Sequence, residues 1–244
     1  MSLSFNPDMM KSILRVALVT LSISLLSYAA KAQIGYNYDQ WDLGVAGGYN
    51  TVYGDAETQT YAPSIHFNLN YNQTPFLNYV FEVQTGQLKG GNEFKDTTGR
   101  QFSNSFTMFA FRVQIQGGEI FDYSQSTFYN ALKNLYIAPG IGYIVNNLKT
   151  NRYSLKIPDF YTPGEDHSTE IVLPLRIGYE FKLFNSMGEP SVKIDLGYQY
   201  NIVFGDELDG FKTGRTNYDI YTQYTLGIKF AIGGGTSYRK QIYY

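Results

Sequence analysis

The most regular feature of the sequence is a two-residue alternation of large apolar with polar or small residues, recurring eight times between Trp41 and Ile232. Alternation of this kind marks strands with one apolar face, whereas a helix repeats near 3.6 residues. In the last stretch Tyr218, Ile220, Thr222, Tyr224, Leu226, Ile228, Phe230 and Ile232 share one face, opposite Asp219, Tyr221, Gln223, Thr225, Gly227, Lys229 and Ala231. The rule also holds from Val192 to Phe204 and from Glu170 to Leu183, and less strictly from Trp41 to about Tyr49, Tyr61 to Tyr71, Leu77 to Gln87, Ser105 to Ile115 and Leu135 to Val145. Only Phe128 to Lys133, inside the link from Gln116 to Asn134, predicts a short amphipathic helix.

The eight apolar faces comprise about fifty positions without one Asp, Glu, Lys or Arg, where a 16% charge content would place about eight. Hydrocarbon enforces such exclusion, because a Lys or Arg facing the bilayer midplane costs ~2–4 kcal/mol. A soluble ligand-binding barrel also alternates, but with its apolar face inward. Eight strands enclose only enough room for side chains or one small ligand, and fifty mainly large residues do not fit there. The opposite face is rich in Gly, Ala, Ser, Asn and Gln, which suits a narrow lumen. The expected fold is therefore all-β: an eight-stranded antiparallel up-and-down transmembrane β-barrel.

The links agree. Long polar ones (50–60, 88–104, 146–169, 205–217) alternate with others, two of which, 72–76 and 185–190, are tight. Short periplasmic turns alternating with longer extracellular loops are typical of outer-membrane barrels; the link from Gln116 to Asn134 is long for its side. Before the first strand, Lys11 and Arg15 precede an apolar stretch from Val16 to Ala30, then Ala30-Lys31-Ala32. That is a secretory signal peptide, with cleavage expected before Gln33. The stretch is shorter than the ~20 residues of a spanning helix. Residues 1–9 precede the basic region, placing the expected start at Met9 or Met10 and making residues 33–244 one barrel domain with a short tail after Ile232.

Aromatic residues make up 17% of the chain and the formal net charge is −2, which leaves no electrostatic footprint for nucleic acid. Cysteine is absent, so no disulfide, Cys-ligated metal or lipidated cysteine is expected. The inward face carries Asp42, Glu82, Glu180, Asp195 and Asp219 against Arg112, Arg176, Lys182, Lys193 and Lys229, with His66 among them and Glu170 at the outer rim. An unpaired charge in a cramped interior is costly, and a selective pore would show one excess sign. Balanced charges therefore predict a paired, plugged lumen, with Asp42, Glu82, Arg112, Arg176, Glu180, Lys182, Lys193, Asp195 and Lys229 as its ion-pair network. Glu82 and Arg112 sit near mid-height on neighbouring strands. Asp42 and Lys229 lie near the periplasmic end, on strands that meet when the barrel closes.

Catalytic signals are weak, and no catalytic, cofactor or metal residue is assigned. Lipid-modifying barrels pair a membrane-accessible His with a Ser, whereas His66-Phe67-Asn68 offers Asn and points inward. Gly205-Asp206-Glu207-Leu208-Asp209-Gly210 is a carboxylate cluster without the ligand spacing of a calcium loop, and reads as a solvated acidic loop. Gly233-Gly234-Gly235 follows a strand and precedes no helix, so it reads as a flexible exit from the barrel rather than a phosphate cradle.

Thr225-Leu226-Gly227-Ile228-Lys229-Phe230-Ala231-Ile232 resembles the signal that the barrel-assembly machinery reads in terminal strands, with Thr225, Gly227, Phe230 and Ile232 at its defining positions. Twelve residues follow, whereas the signal usually ends a protein. Trp41-Asp42-Leu43-Gly44-Val45-Ala46-Gly47-Gly48, Tyr53-Gly54-Asp55, Ala138-Pro139-Gly140-Ile141-Gly142 and Leu173-Pro174-Leu175-Arg176-Ile177-Gly178-Tyr179 resemble the small outer-membrane barrels of Bacteroidetes-type bacteria, related in plan to OmpX and the OmpA membrane domain. The resemblance implies an outer-membrane location, lipid and the assembly machinery as partners, a monomeric barrel and no cofactor. Some barrels of this plan, the PorG-like group, serve the type IX secretion machine, and Asp206-Glu207-Leu208-Asp209 is similar to their acidic ending. The sequence thus favours a non-enzymatic structural or surface-interaction role, with an accessory subunit of an envelope secretion complex as the alternative and a narrow pore or lipid-modifying enzyme behind both.

Overall fold

A computed structural model describes residues 35–54, 57–92, 94–97, 99, 101–124, 126–154, 156–157, 159–211 and 218–239. The expected signal peptide and the last residues, 240–244, lie outside them. The chain forms β1 (Gly35–Tyr53), β2 (Ala62–Asn72), β3 (Leu77–Gly90), β4 (Gln101–Gln116), β5 (Leu135–Asn151), β6 (His167–Phe184), β7 (Pro190–Phe204) and β8 (Asp219–Arg239). Each strand pairs antiparallel with the next, and β1 pairs with β8 from Gly35↔Arg239 to Tyr53↔Ile220. The ring is closed, so among the described residues the part of each strand within the ring is paired on both sides and leaves no edge for unwanted pairing there. Every backbone polar group within the hydrocarbon must be bonded inside the protein, and closure accomplishes this.

Burial follows the period of two. In β2, Ala62, Ser64, His66, Asn68, Asn70 and Asn72 are buried, while Pro63, Ile65, Phe67 and Leu69 are exposed. The exposed faces therefore carry the apolar residues, the reverse of a soluble barrel. Trp41, Tyr71, Tyr79 and Phe111 form a chain of ring contacts with centroids 5.0–6.3 Å apart across four strands. On the opposite rim Tyr198 meets Tyr224 at 5.0 Å. Trp41 and Tyr49 are eight residues apart on a tilted strand, so the band between the girdles is ~20 Å tall, near the expected apolar height. Spin labels at Phe181, Ile194 and Leu226 should therefore collide with a lipid-soluble relaxer, and labels at Glu180, Asp195 and Gly227 should not; the reversed pattern would mean a one-residue error in register.

Short turns and the paired ends of the described chain, Gly35 and Arg239, occupy one end. Thr74 Oγ1 accepts from the backbone N–H of Phe76 and Leu77, which tightens the β2–β3 turn. Asn185 Oδ1 accepts from the N–H of Met187 and Glu189, and Gly188 supplies the positive φ of +78° in the β6–β7 turn. The β4–β5 link holds α1 (Gly117–Ile120) and α2 (Thr127–Leu132), the latter capped by Ser126 Oγ accepting from Tyr129 N–H.

Two expectations need correction here. Gly233 to Gly235 is not a flexible exit: β8 continues to Arg239, pairing Gly235, Thr236, Ser237 and Tyr238 with Asp39, Asn37 and their neighbours in β1. A bulge between Asp39 and Trp41 and a φ of +112° at Gly233 absorb the kink, a conformation open to glycine. Nor is 205–210 a solvated loop. Leu208, Asp209, Gly210 and Phe211 are buried, folded into the outer mouth.

Candidate functional site: a layered, closed lumen

The lumen is stacked in four layers. At the periplasmic end Phe76 meets Tyr123 and Tyr238, with ring centroids 5.3 and 6.1 Å away, and Tyr38 joins them, its hydroxyl donating to Gln73 O at 2.7 Å. The link outside the spanning strands supplies Tyr123, whose phenol burial pushes up to about 12, and Lys133, whose ammonium burial pulls down. Lys133 Nζ lies 5.2 Å from the Tyr123 ring centre.

Above this floor lies the charged layer. Arg112 grips Glu82 with both arms, Nη1 to Oε1 at 2.7 Å and Nη2 to Oε2 at 2.8 Å. Fork-to-fork contact of this kind is the strongest geometry an ion pair adopts. Val80 stands opposite Arg112 and Ala110 opposite Glu82, so the pair is diagonal across β3 and β4. Gln84 Nε2 also donates to Glu82 Oε1 at 2.5 Å, His66 Nδ1 lies 3.6 Å from it, and Arg176 Nη1 is 3.6 Å from Oε2. Arg176 donates from Nη2 to Asp195 Oδ1 and from Nε to the Tyr136 hydroxyl at 2.9 Å, and that hydroxyl donates to Asp195. Lys229 Nζ reaches Glu180 Oε2 at 2.8 Å and Asp195 Oδ2 at 3.3 Å. One continuous path thus runs from Arg112 through Glu82, Arg176, Asp195 and Lys229 to Glu180. A separate pair joins Lys193 Nζ to Asp42 Oδ2 at 2.6 Å, with Asn72 Nδ2 on the same oxygen at 3.0 Å.

Two details differ from the sequence expectation. Asp42 takes Lys193, not Lys229. Lys229 stands opposite Gly44 and beside Lys193, and its stem crosses the space that Gly44 leaves open. Its head points across the lumen to Glu180. The even balance of inward charges is not kept either: Asp219, counted on the inward face but not in the expected network, lies at the outer mouth and accepts from Leu208 N–H at 3.0 Å. The layer therefore holds five bases against four acids. Lys182 is the cation without a close carboxylate: Nζ donates to Pro75 O at 2.6 Å and Gln116 Oε1 at 2.8 Å, stands 4.0 Å from Glu180, and lies 4.5 Å from the Phe76 ring centre.

Amides fill the third layer. Gln223 Nε2 donates to Asn50 Oδ1 and Gln84 Oε1, both at 3.0 Å, and Gln199 Nε2 donates to Asn201 Oδ1 at 2.7 Å. His66 Nε2 and Ser64 Oγ are 2.9 Å apart, within the lumen and away from lipid. The outermost layer is apolar: Val52, Leu88, Phe102, Phe106, Met108, Ile144, Val172, Val203 and Tyr221, sealed by Leu208 and Phe211 from the β7–β8 link. Asn104 Nδ2 donates to Leu208 O and Thr150 Oγ1 to Asp209 O, which ties that link down. The void bordering Glu82, Arg112, Arg176, Asp195 and Lys229 measures about 10 Å³, about one water molecule at most.

Sequence reasoning missed the apolar layer, although a signal was present. In β4 the apolar phase flips: Phe102, Phe106 and Met108 fall on the lumen face, while Ser103, Ser105 and Thr107 face out. Of the residues in the assembly-signal pattern, Thr225 and Gly227 face the lumen and Phe230 and Ile232 face lipid, in the strand that closes the barrel on β1. A Cβ at Gly227 would stand 2.8 Å from that of Ala46, which accounts for glycine at this seam. Among the described residues no cluster of three or more His, Cys, Asp or Glu is placed to hold a metal.

The apolar belt, aromatic girdles and closed antiparallel ring define an outer-membrane β-barrel. No family model matches the sequence, and no curated protein does. Among solved structures, the chain is similar to Neisserial surface protein A, at 14% identity over 81% of this chain and 99% of that one, with a TM-score of 0.46. It is also similar to Ail, the attachment invasion locus protein of Yersinia pestis, at 11% identity over 79% and 98%, with a TM-score of 0.43. A major outer-membrane protein of Thermus thermophilus matches at 11% identity over 78% and 98%, with a TM-score of 0.38.

Proposed function

We propose that this chain is a non-enzymatic, permanently closed outer-membrane barrel with a structural or surface-interaction role, its charge layer acting as an internal lock. The observation that carries this reading is the lumen's continuous filling, from the Tyr38–Phe76–Tyr123 floor through the ion pairs to Leu208 and Phe211. A conduit needs a water-filled path, and about 10 Å³ beside the pairs does not provide one. Reconstituted in planar bilayers, the wild type should be silent or open only rarely and to small conductance. Steady, large, ion-selective currents would replace the lock with a pore.

A second reading, an accessory subunit of an envelope secretion complex in the manner of the PorG-like group, draws on one feature. Ile120, Phe128 and Tyr129 of the β4–β5 link are exposed at the periplasmic end, Phe128 by 67%. A photo-crosslinking residue at Phe128 that captures one stoichiometric envelope protein would favour this reading; lipid adducts alone would favour the lone barrel. In both readings Thr225, Gly227, Phe230 and Ile232 serve as the assembly signal.

A further inference from the structure

The outer wall of β3, β4 and β5 changes character at one row. Thr85, Thr107 and Val145 stand side by side in register. Toward the periplasm Phe81, Val83, Phe109, Phe111, Ile141 and Tyr143 line a continuous apolar trough on the lipid-facing side. Two residues outward along each strand the matched row is polar, Gln87, Ser105 and Asn147, and two residues further it is Lys89, Ser103 and Lys149. On tilted strands that row stands ~10 Å above the apolar edge, just outside the headgroup zone of ~5–8 Å per leaflet and within reach of a lysine stem bending downward.

We propose that Lys89, Ser103 and Lys149 form a binding site for the phosphate of a phosphorylated lipid headgroup in the outer leaflet. The two ammonium groups flank the Ser103 hydroxyl at ~10 Å between backbones, two strand spacings. Together with Thr60 and Gln101 they line an open groove of about 380 Å³ that contains no carboxylate. Neither ammonium has a hydrogen-bond or ion-pair partner among the described residues. The neighbouring loop acids are engaged elsewhere: Asp96 accepts from Thr58 and from Asn92 N–H, and Glu57 from Thr97. A lipid is favoured over a soluble anion because the same three strands carry an apolar trough for acyl chains, with the polar row Gln87, Ser105 and Asn147 at headgroup height between it and the lysines. The site is on the outside of the barrel, so it stands or falls independently of whether the lumen is closed.

The test uses the full-length protein in nanodiscs of neutral phosphatidylcholine, titrated with diphosphoryl lipid A and read by native mass spectrometry. The wild type should retain one phosphorylated lipid, and Lys89→Ala/Lys149→Ala should weaken retention about 30-fold, as expected for the loss of two interfacial lysines. Lys89→Arg/Lys149→Arg should restore it. Heat-modifiable migration on gels checks that each variant is folded. Equal retention by wild type and the Ala variant, or equal retention of fully dephosphorylated lipid A, overturns the proposal. Stronger retention of inorganic pyrophosphate than of the lipid would reassign the groove to soluble anions and overturn it as well.

Discussion

Arg112→Ala should lower the unfolding free energy of the barrel in lipid vesicles by about 3–5 kcal/mol, and Glu82→Ala should lower it further. Losing Arg112 leaves Glu82 with Gln84 at 2.5 Å and Arg176 and His66 at 3.6 Å, partial compensation for a buried carboxylate. Losing Glu82 leaves Arg112 with only the Gln199 amide oxygen at 2.8 Å, and also removes a second neighbour of Arg176. The order of the two costs follows from that difference in residual partners. The double variant should cost clearly less than the sum of the two, because the second substitution removes the charge the first left stranded. Urea titration of the four proteins in vesicles provides the cycle. Additive single costs, or two harmless substitutions, would show that the fork-to-fork contact contributes nothing beyond its parts.

That pair was legible in the sequence because its partners lie on adjacent strands joined by a hydrogen-bond ladder, where period and register fix neighbours. Face assignment was legible for a related reason: hydrocarbon outside and a narrow lumen inside demand opposite chemistries at every second residue. Contacts across the lumen were not. Asp42 on β1 and Lys193 on β7 share no ladder, and their meeting depends on the stagger of the closed ring and on which stem the Gly44 gap admits. The position of Asp219 was hidden likewise. It falls on the inward face, but strand length carries it to the mouth, where it binds Leu208 N–H rather than a lysine. The folded-in link was obscured by composition: Asp206, Glu207 and Asp209 dominate its character, whereas Leu208 and Phe211 determine where it goes. The β8 extension was obscured because three glycines resemble a linker unless β1 is known to run alongside them.

The five-to-four charge count separates two lysines that sequence treats as equivalent. Lys182, Lys193 and Lys229 stand directly opposite one another across β6, β7 and β8, an arrangement that repels unless acids intervene. Lys229 is held by Glu180 and Asp195; Lys182 is held by a carbonyl, an amide oxygen and the Phe76 ring. Lys229→Met should therefore cost about 3–5 kcal/mol, since it leaves Glu180 with amides and a lysine 4.0 Å away. Lys182→Met should change stability by only about 1 kcal/mol in either direction. It forfeits two hydrogen bonds, but it also removes a desolvated cation from a layer with one too many and sets a thioether against Phe76, a favourable contact. Urea midpoints of both variants in vesicles decide the matter. Equal losses would make Lys182 the true counter-ion of Glu180. A harmless Lys229→Met would mean that the path from Arg112 to Glu180 is not a lock at all.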